Sequence, residues 1–293
     1  MLNFIIYHFG SGHAFFLGVT CILIALGLSF VISYRGASLA RNLAVLIGGI
    51  LVTISATPLP WWLYGLLAVV TLVWLTLEWC TSSLCSRRIA VLRITMLVVW
   101  LAATGLELPY HVMPSLPPLG NPTCFLIGDS VSAGTREADP TTWPNRLAAQ
   151  HPITIRDFSK MGATVGSARR QAERIGDETG LVLLEIGGND VLGSTTADEF
   201  EERLDALLAD VCRRERTVVM LELPLPPFAN RFGQAQRSLA EKYQVILIPK
   251  RFFAAILTTD GATVDGIHLS PMGHAMMAEA IWDVLHSAYD GHQ

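Results

Sequence analysis

The stretch Phe125-Leu-Ile-Gly-Asp-Ser-Val-Ser-Ala-Gly134 is a short apolar run that stops at Gly128-Asp129-Ser130 and continues in small residues to a second glycine. A buried strand ending this way leaves a hydroxyl at the rim of a sheet, because glycine permits the sharp turn that follows. Gly-Asp-Ser is also ordinary turn chemistry, so the serine needs support from the rest of the chain. Two later stretches supply it: Gly187-Gly188-Asn189-Asp190 and Asp265-Gly266-Ile267-His268.

Outward from this stretch, residues 123–293 alternate apolar runs with helical patterns. Strands are expected at Cys124–Ile127, Ile153–Asp157, Leu181–Ile186, Val218–Leu223 and Val245–Ile248. Helices are expected near Trp143–Gln150, Val165–Ile175, Ala197–Arg214, Ala229–Tyr243 and Pro271–His286, the last with Ser270 as N-cap and Pro271 in its first turn. Strands apolar throughout and separated by helices indicate a parallel sheet covered on both faces. The expected fold is a flavodoxin-like, three-layer α/β/α domain with five strands in the order 2-1-3-4-5. In such sheets ligands bind beyond the strand C-termini, where the strand order reverses. Ser130 follows strand one, Gly162 strand two and Asn189 strand three, while Asp265 and His268 arrive from the loop before the last helix.

The first third of the chain is different. Overall 51% of residues are hydrophobic, 16% are charged and mean hydropathy is +0.43. Residues 1–105 contain Arg35, Arg41, Arg87, Arg88 and Arg93 as their only Lys or Arg, and Glu78 as their only acid. Residues 1–106 therefore read as about four transmembrane helices: Ala14–Ser33, Leu43–Leu59, Trp62–Cys80 and Ala90–Leu106. The first is not read as a signal peptide, since no basic residue precedes it and further spans follow. Arg35 and Arg41 lie in one short loop and Arg87 and Arg88 in another, which by the positive-inside rule places both loops in the cytoplasm and both chain ends outside. Glu78 and Arg93 read as side chains snorkelling to the headgroups, with an ion pair joining spans three and four as the alternative. Residues 107–122, with Leu108–Thr123 carrying five prolines, read as a semi-rigid linker holding the soluble domain off the membrane.

A net charge of −4 offers no basic patch for nucleic acid. Of the five cysteines, Cys21 and Cys124 read as small buried hydrophobes, and Cys80 and Cys85 lack the further ligands of a metal site. No metal or organic cofactor is expected. His111 and His151 read as solvated, Arg169 and Arg170 as a solvated helix face, and Asp190 as a structural cap.

From Thr123 to about His286 the chain resembles the SGNH, or GDSL-type, serine hydrolases. Gly128-Asp129-Ser130 matches the nucleophile block, with Val131 in place of the leucine that gives the family its name. Gly162 matches the second block, without the asparagine that often precedes that glycine. Asn189 in Gly-Gly-Asn-Asp matches the third and Asp265-Gly-Ile-His268 the last. The Ser-Ala-Gly134 continuation, Trp143-Pro144 and the Asp-Gly-Ile-His wording lie nearest the bacterial thioesterase, lysophospholipase and arylesterase subgroup. The resemblance implies a catalytic triad of Ser130, His268 and Asp265. It also implies an oxyanion hole from the Asn189 amide and the backbone N–H groups of Ser130 and Gly162.

Elementary chemistry agrees: a serine hydroxyl needs a neighbouring base, and the base an orienting partner, which Asp265 three residues before His268 can be. The expected activity is hydrolysis of an acyl ester, lipid or thioester through an acyl-serine. An O-acetyl esterase or acyltransferase acting on surface polysaccharide is an alternative. So is a non-catalytic membrane sensor or scaffold, though a binding module has no need of an intact triad. The expected location is a bacterial inner membrane, with the hydrolase domain outside the cytoplasm; the expected partners are an acyl-ester substrate and the bilayer, with no nucleic acid.

Overall fold

The computed structural model describes residues 2–31, 35–80, 87–119, 121–134, 141–213 and 215–289. Cys85, Ser33 and Arg214, named above, lie outside them. The apolar N-terminal third forms helices α1 (Leu2–Gly10), α2 (His13–Val31), α3 (Arg35–Ile54), α4 (Trp61–Cys80) and α5 (Arg87–Glu107). Three apolar segments, His13–Phe30, Trp61–Trp79 and Arg87–His111, are long enough to cross a membrane. The expected second span is shorter: Ser38–Ile54 is helical, and residues 55–60 turn away at Pro58 and Pro60.

Helices α2 and α3 touch backbone to backbone. A Cβ on Gly18 would stand 2.7 Å from the Gly48 carbonyl oxygen, and one on Gly48 would stand 2.6 Å from that of Gly18. Such close approach is the usual use of glycine between helices in lipid, where apolar burial gives little drive and dispersion must supply it. Phe15, Ile22, Leu67, Trp74, Met96 and Trp100 fill the bundle interior. The snorkelling reading of Glu78 and Arg93 is overturned. Arg93 Nε donates to Glu78 Oε1 at 2.7 Å, Trp74 Nε1 donates to the same oxygen at 3.2 Å, and Arg41 Nη1 stands 3.5 Å from Oε2. A carboxylate with these partners meets its hydrogen-bonding needs inside the bundle and has no reason to reach for water.

Beyond the bundle come β1 (Thr123–Gly128), α6 (Ser130–Ala133), α7 (Trp143–Gln150), β2 (Thr154–Asp157), α8 (Val165–Glu173) and β3 (Gly180–Glu185). Then follow α9 (Gly188–Leu192), α10 (Ala197–Val211), β4 (Arg216–Leu221), α11 (Asn230–Tyr243), β5 (Ile246–Ile248), α12 (Lys250–Leu257) and α13 (Pro271–Tyr289). The strands form one parallel sheet in the order β2-β1-β3-β4-β5, as expected. Side chains alternate between two cores along each strand. Phe125, Ile127, Val182 and Leu184 pack with Ala168, Phe200, Leu204 and Leu239 of α8, α10 and α11. Leu126, Leu181, Leu183 and Val219 face the other way, onto Trp143, Phe253, Met277 and Ile281 of α7, α12 and α13. Helix α12, absent from the expected elements, begins two residues after a three-residue strand, with Pro249 alone separating them.

The proline-rich segment does not hold the domain away from the bundle. Leu108–His111 continues α5 as a 3-10 turn, and the hydrolase domain sits directly on one end of the bundle. Gln234 Nε2 donates to the Leu59 carbonyl at 2.5 Å and Asn230 Nδ2 to that of Ser55 at 3.2 Å. A Cβ on Gly233 would stand 2.9 Å from Pro58. Between them lies a buried ionic cluster. The Glu107 carboxylate accepts from Arg237 Nη1 and Nη2 at 2.6 and 3.0 Å, and Glu222 Oε1 accepts from Arg237 Nε at 2.7 Å. Lys250 Nζ stands 3.4 Å from Glu107 and 3.6 Å from Glu222. Burial by itself would lower the Arg237 pKa; the Glu222 and Glu107 charges outweigh it and raise the guanidinium above its ordinary value. Two anions and two cations balance, as a water-excluded cluster requires. His111 is not solvated: its Nε2 stands 3.2 Å from Glu107 Oε1, and its ring stacks on His13. His151 likewise stacks on Trp282, at 4.2 Å between ring centroids, and Arg169 pairs with Asp210 at 2.7 Å.

Candidate active site

Strand β1 is clamped at its end by Gln171, whose side chain donates to the Gly128 carbonyl and accepts from the Gly128 N–H, both at 3.0 Å. The chain then reverses into α6. Asp129 caps this short helix, its Oδ1 accepting from Val131 N at 2.9 Å, and Ser130 is the first helical residue. Gly128 cannot carry a side chain here, since its Cβ would lie 2.7 Å from Ser132 Oγ. Ser130 is left 6% exposed at the sheet rim.

The Asn189 amide joins two neighbouring loops to this turn. Its Nδ2 donates to the Ala163 carbonyl at 2.9 Å and to Asp129 Oδ2 at 3.2 Å. Gly187, at φ 113°, makes the left-handed turn that starts α9 and places Asn189. Gly162 adopts φ +73° with open space where a Cβ would point, so its backbone is approachable. Asn189 thus ties the residue after Gly162 to the residue before Ser130. Asp190 is structural, as expected, its Oδ2 accepting from Val165 N in the first turn of α8 at 2.8 Å.

His268 and Asp265 come from the loop before α13, closed by the Thr263–Leu269 bridge. Asp265 Oδ2 stands 2.6 Å from His268 Nδ1, and Oδ1 accepts from the backbone N–H groups of Ile267 and His268 at 3.0 and 2.8 Å. The His268 side chain first, then those backbone groups, hold the Asp265 carboxyl down at about 2. An ionised Asp265 fixes the proton on Nδ1 and leaves Nε2 as an acceptor. Ser130, Asn189 and His268 line one cavity of about 170 Å³, walled by Val191, Leu192, Leu223, Pro224, Phe253 and Leu257. Asp265 and Gly162 stand outside that lining, Asp265 at the Nδ1 side of the imidazole.

Glu185 was not anticipated as a site residue. It ends β3, is 2% exposed, lines the same cavity and accepts from Ser132 Oγ at 2.7 Å. Burial, then the nearby Asp129 charge, pushes its carboxyl well above the usual range, and burial raises Asp129 too. The signal was present in sequence, as a lone acid in the apolar run Leu181–Ile186. Among the described residues no three of His, Cys, Asp or Glu are gathered as metal ligands.

Residues 126–276 match the GDSL-like Lipase/Acylhydrolase family. The Arylesterase of Vibrio mimicus is 27% identical over 169 residues, covering 54% of this chain and 84% of that protein. The Thioesterase 1/protease 1/lysophospholipase L1 of Escherichia coli is 30% identical over 155 residues, covering 50% and 74% respectively. The crystal structure of the psychrotrophic esterase EstA from Pseudoalteromonas sp. superposes with a TM-score of 0.51 at 22% identity, over 57% of this chain and 97% of that one. The capped serine turn, the parallel sheet that presents it and these matches together make the chain a member of the GDSL-like lipase/acylhydrolase family, a carboxylic ester hydrolase of the SGNH type.

Proposed function

We propose that the protein is a membrane-anchored serine esterase with Ser130 as nucleophile, His268 as general base and acid, and Asp265 as the group that orients it. The observation that carries this reading is the 2.6 Å Asp265–His268 contact, with His268 sharing an apolar-walled cavity with Ser130 and Asn189. Its domain plan is a membrane region over residues 1–106, a connecting segment 107–122 and a hydrolase domain 123–293. Nε2 of His268 takes the Ser130 hydroxyl proton as Oγ attacks the acyl carbon. The carbonyl oxygen becomes an oxyanion, received by the Asn189 amide and the N–H groups of Ser130 and Gly162. To do so, Asn189 exchanges its longer bond, to Asp129, for the oxyanion. The imidazolium then protonates the leaving alkoxide and the alcohol departs. Water repeats the cycle on the acyl-serine, releasing the acid and restoring Ser130.

The walls favour an acyl group that is itself apolar. The cavity is short, and a longer chain would continue over Leu192 and Ile267, which are 61% and 43% exposed. With apolar helices of membrane-spanning length packed against the same domain, a lipid ester is the substrate class best supported. The test is ester hydrolysis by the full-length protein beside Ser130→Ala, over acyl chains from acetyl to palmitoyl. Ser130-dependent turnover that rises beyond acetyl is expected. Turnover confined to acetyl would replace the lipid reading with a deacetylase, and equal background rates for both proteins would defeat the esterase.

A further inference from the structure

The bundle and the acyl cavity share a wall. Helix α12 supplies Phe253 and Leu257 to the cavity, and the chain leaving β4 supplies Leu223 and Pro224. Both segments begin at members of the buried ionic cluster. Lys250 is the first residue of α12, and Glu222 immediately precedes Leu223. Their common counter-charge system is completed by Glu107, the last residue of α5, which is 0% exposed.

Other contacts brace the same wall. The Lys250 side chain passes so near the α1–α2 turn that a Cβ on Gly12 would stand 3.1 Å from its Cε. Arg251 Nε donates to the His111 carbonyl at 2.9 Å. A Cβ on Gly10 would meet Pro224 at 3.7 Å. Past the far end of α12, Asp260 Oδ1 accepts from Asn3 of α1 at 2.5 Å. Residues of the N-terminal region therefore hold α12 at both ends.

The reacting groups are anchored elsewhere. Ser130 depends on Asp129 and the end of β1, Asn189 on Ala163 and Asp129, and His268 on a loop closed by Ser270 N donating to the Ala262 carbonyl at 2.9 Å. Disturbing the cluster should therefore move the acyl wall and leave the triad in place.

We propose that Glu107 is a positioning residue for acyl-chain selection: through Arg237 and Lys250 it sets the place of α12, so the membrane bundle helps fix the length of acyl group the cavity accepts. This rests on the esterase reading and goes beyond it, since it assigns a membrane-helix residue to specificity.

The experiment compares full-length wild type, Glu107→Gln and Glu107→Asp in detergent micelles, on p-nitrophenyl acetate and p-nitrophenyl decanoate. For Glu107→Gln the decanoate-to-acetate ratio of kcat/KM should fall about tenfold, comparable to one methylene in an apolar pocket. The loss should lie mainly in the decanoate KM, with acetate within about twofold, and Glu107→Asp should recover part of the ratio. An unchanged ratio, or equal losses on both esters, overturns the proposal. If Glu107→Gln does not fold, Asp260→Ala carries the test alone. It removes an exposed contact at the other end of α12 and should shift the ratio the same way by a smaller amount; no shift overturns the proposal. Absence of Ser130-dependent hydrolysis in the wild type would instead remove the esterase reading on which the proposal stands.

Discussion

Glu185 shows how one buried carboxyl shapes this site. With its pKa raised by burial and by Asp129, it keeps its proton in the folded state at a pH where the unfolded chain has lost it. Between the ordinary value of 4.5 and the folded value, the native state binds more protons, so this group's contribution to stability declines as pH rises. Glutamine cannot ionise and can still accept from Ser132. Glu185→Gln is therefore expected to raise the melting temperature relative to wild type, with the gain widening from about pH 5 towards pH 8, as followed by thermal melts across that window. A gain that narrows with pH would mean that Glu185 is held ionised. The proposed reacting residues stand out in the sequence because such chemistry demands particular residue types at strand ends. Glu185 was passed over because strand patterning records an interior acid only as an interruption. Glu107 was passed over because, in sequence, it marks only the start of a proline-rich segment.

At the scale of elements, apolar runs disclose β1, β3, β4 and β5, whereas β2, Thr154–Asp157, is largely polar and lies at the sheet edge. Two features escaped for physical reasons. Helix α12 depends on the sheet and α13 to bury Phe253 and Ile256, which a short local pattern cannot announce. Helix α3, whose apolar stretch Ser38–Ile54 is the shorter one, is held by backbone contact with α2. This contact predicts a difference between adjacent residues. Gly48 faces the Gly18 carbonyl, whereas a Cβ on Gly49 meets nothing within 4 Å. Gly48→Val should force the helices apart at a cost of about 1–3 kcal/mol, as overpacking does. Gly49→Val should be close to neutral. Thermal melts of the two variants in the same detergent check this, and equal shifts would refute it.

For the whole molecule, composition alone separated an apolar third from a water-compatible remainder, and the sequence blocks placed the site on one sheet edge. How the halves meet was not legible. A proline-rich segment suggests a spacer, whereas the partners that close the gap lie more than a hundred residues apart, as Glu107 and Arg237 do, at a separation of 130. The ends of α1, α3 and α5 meet the hydrolase domain at one end of the bundle, where Ala56 N donates to the Phe9 carbonyl at 3.1 Å. Combined with Arg35, Arg41, Arg87 and Arg88 near the starts of α3 and α5, towards the opposite end, this predicts an extracytoplasmic hydrolase domain. A phosphatase reporter fused after Gln293 should be active outside the cytoplasm; activity only inside would reverse the orientation.

The order of synthesis gives the ionic cluster another consequence. Glu107 leaves the ribosome well before Glu222, Arg237 and Lys250, so the completed bundle presents an anion whose counter-charges have yet to be made. If the bundle inserts first, as the proposed anchoring implies, the α12 wall is expected to be completed only when those late residues reach Glu107. On the membrane-anchored reading, insertion becomes a checkpoint on maturation: a chain that misses the bilayer is expected to lack a finished acyl cavity, with long-chain hydrolysis latent until the anchor is in place.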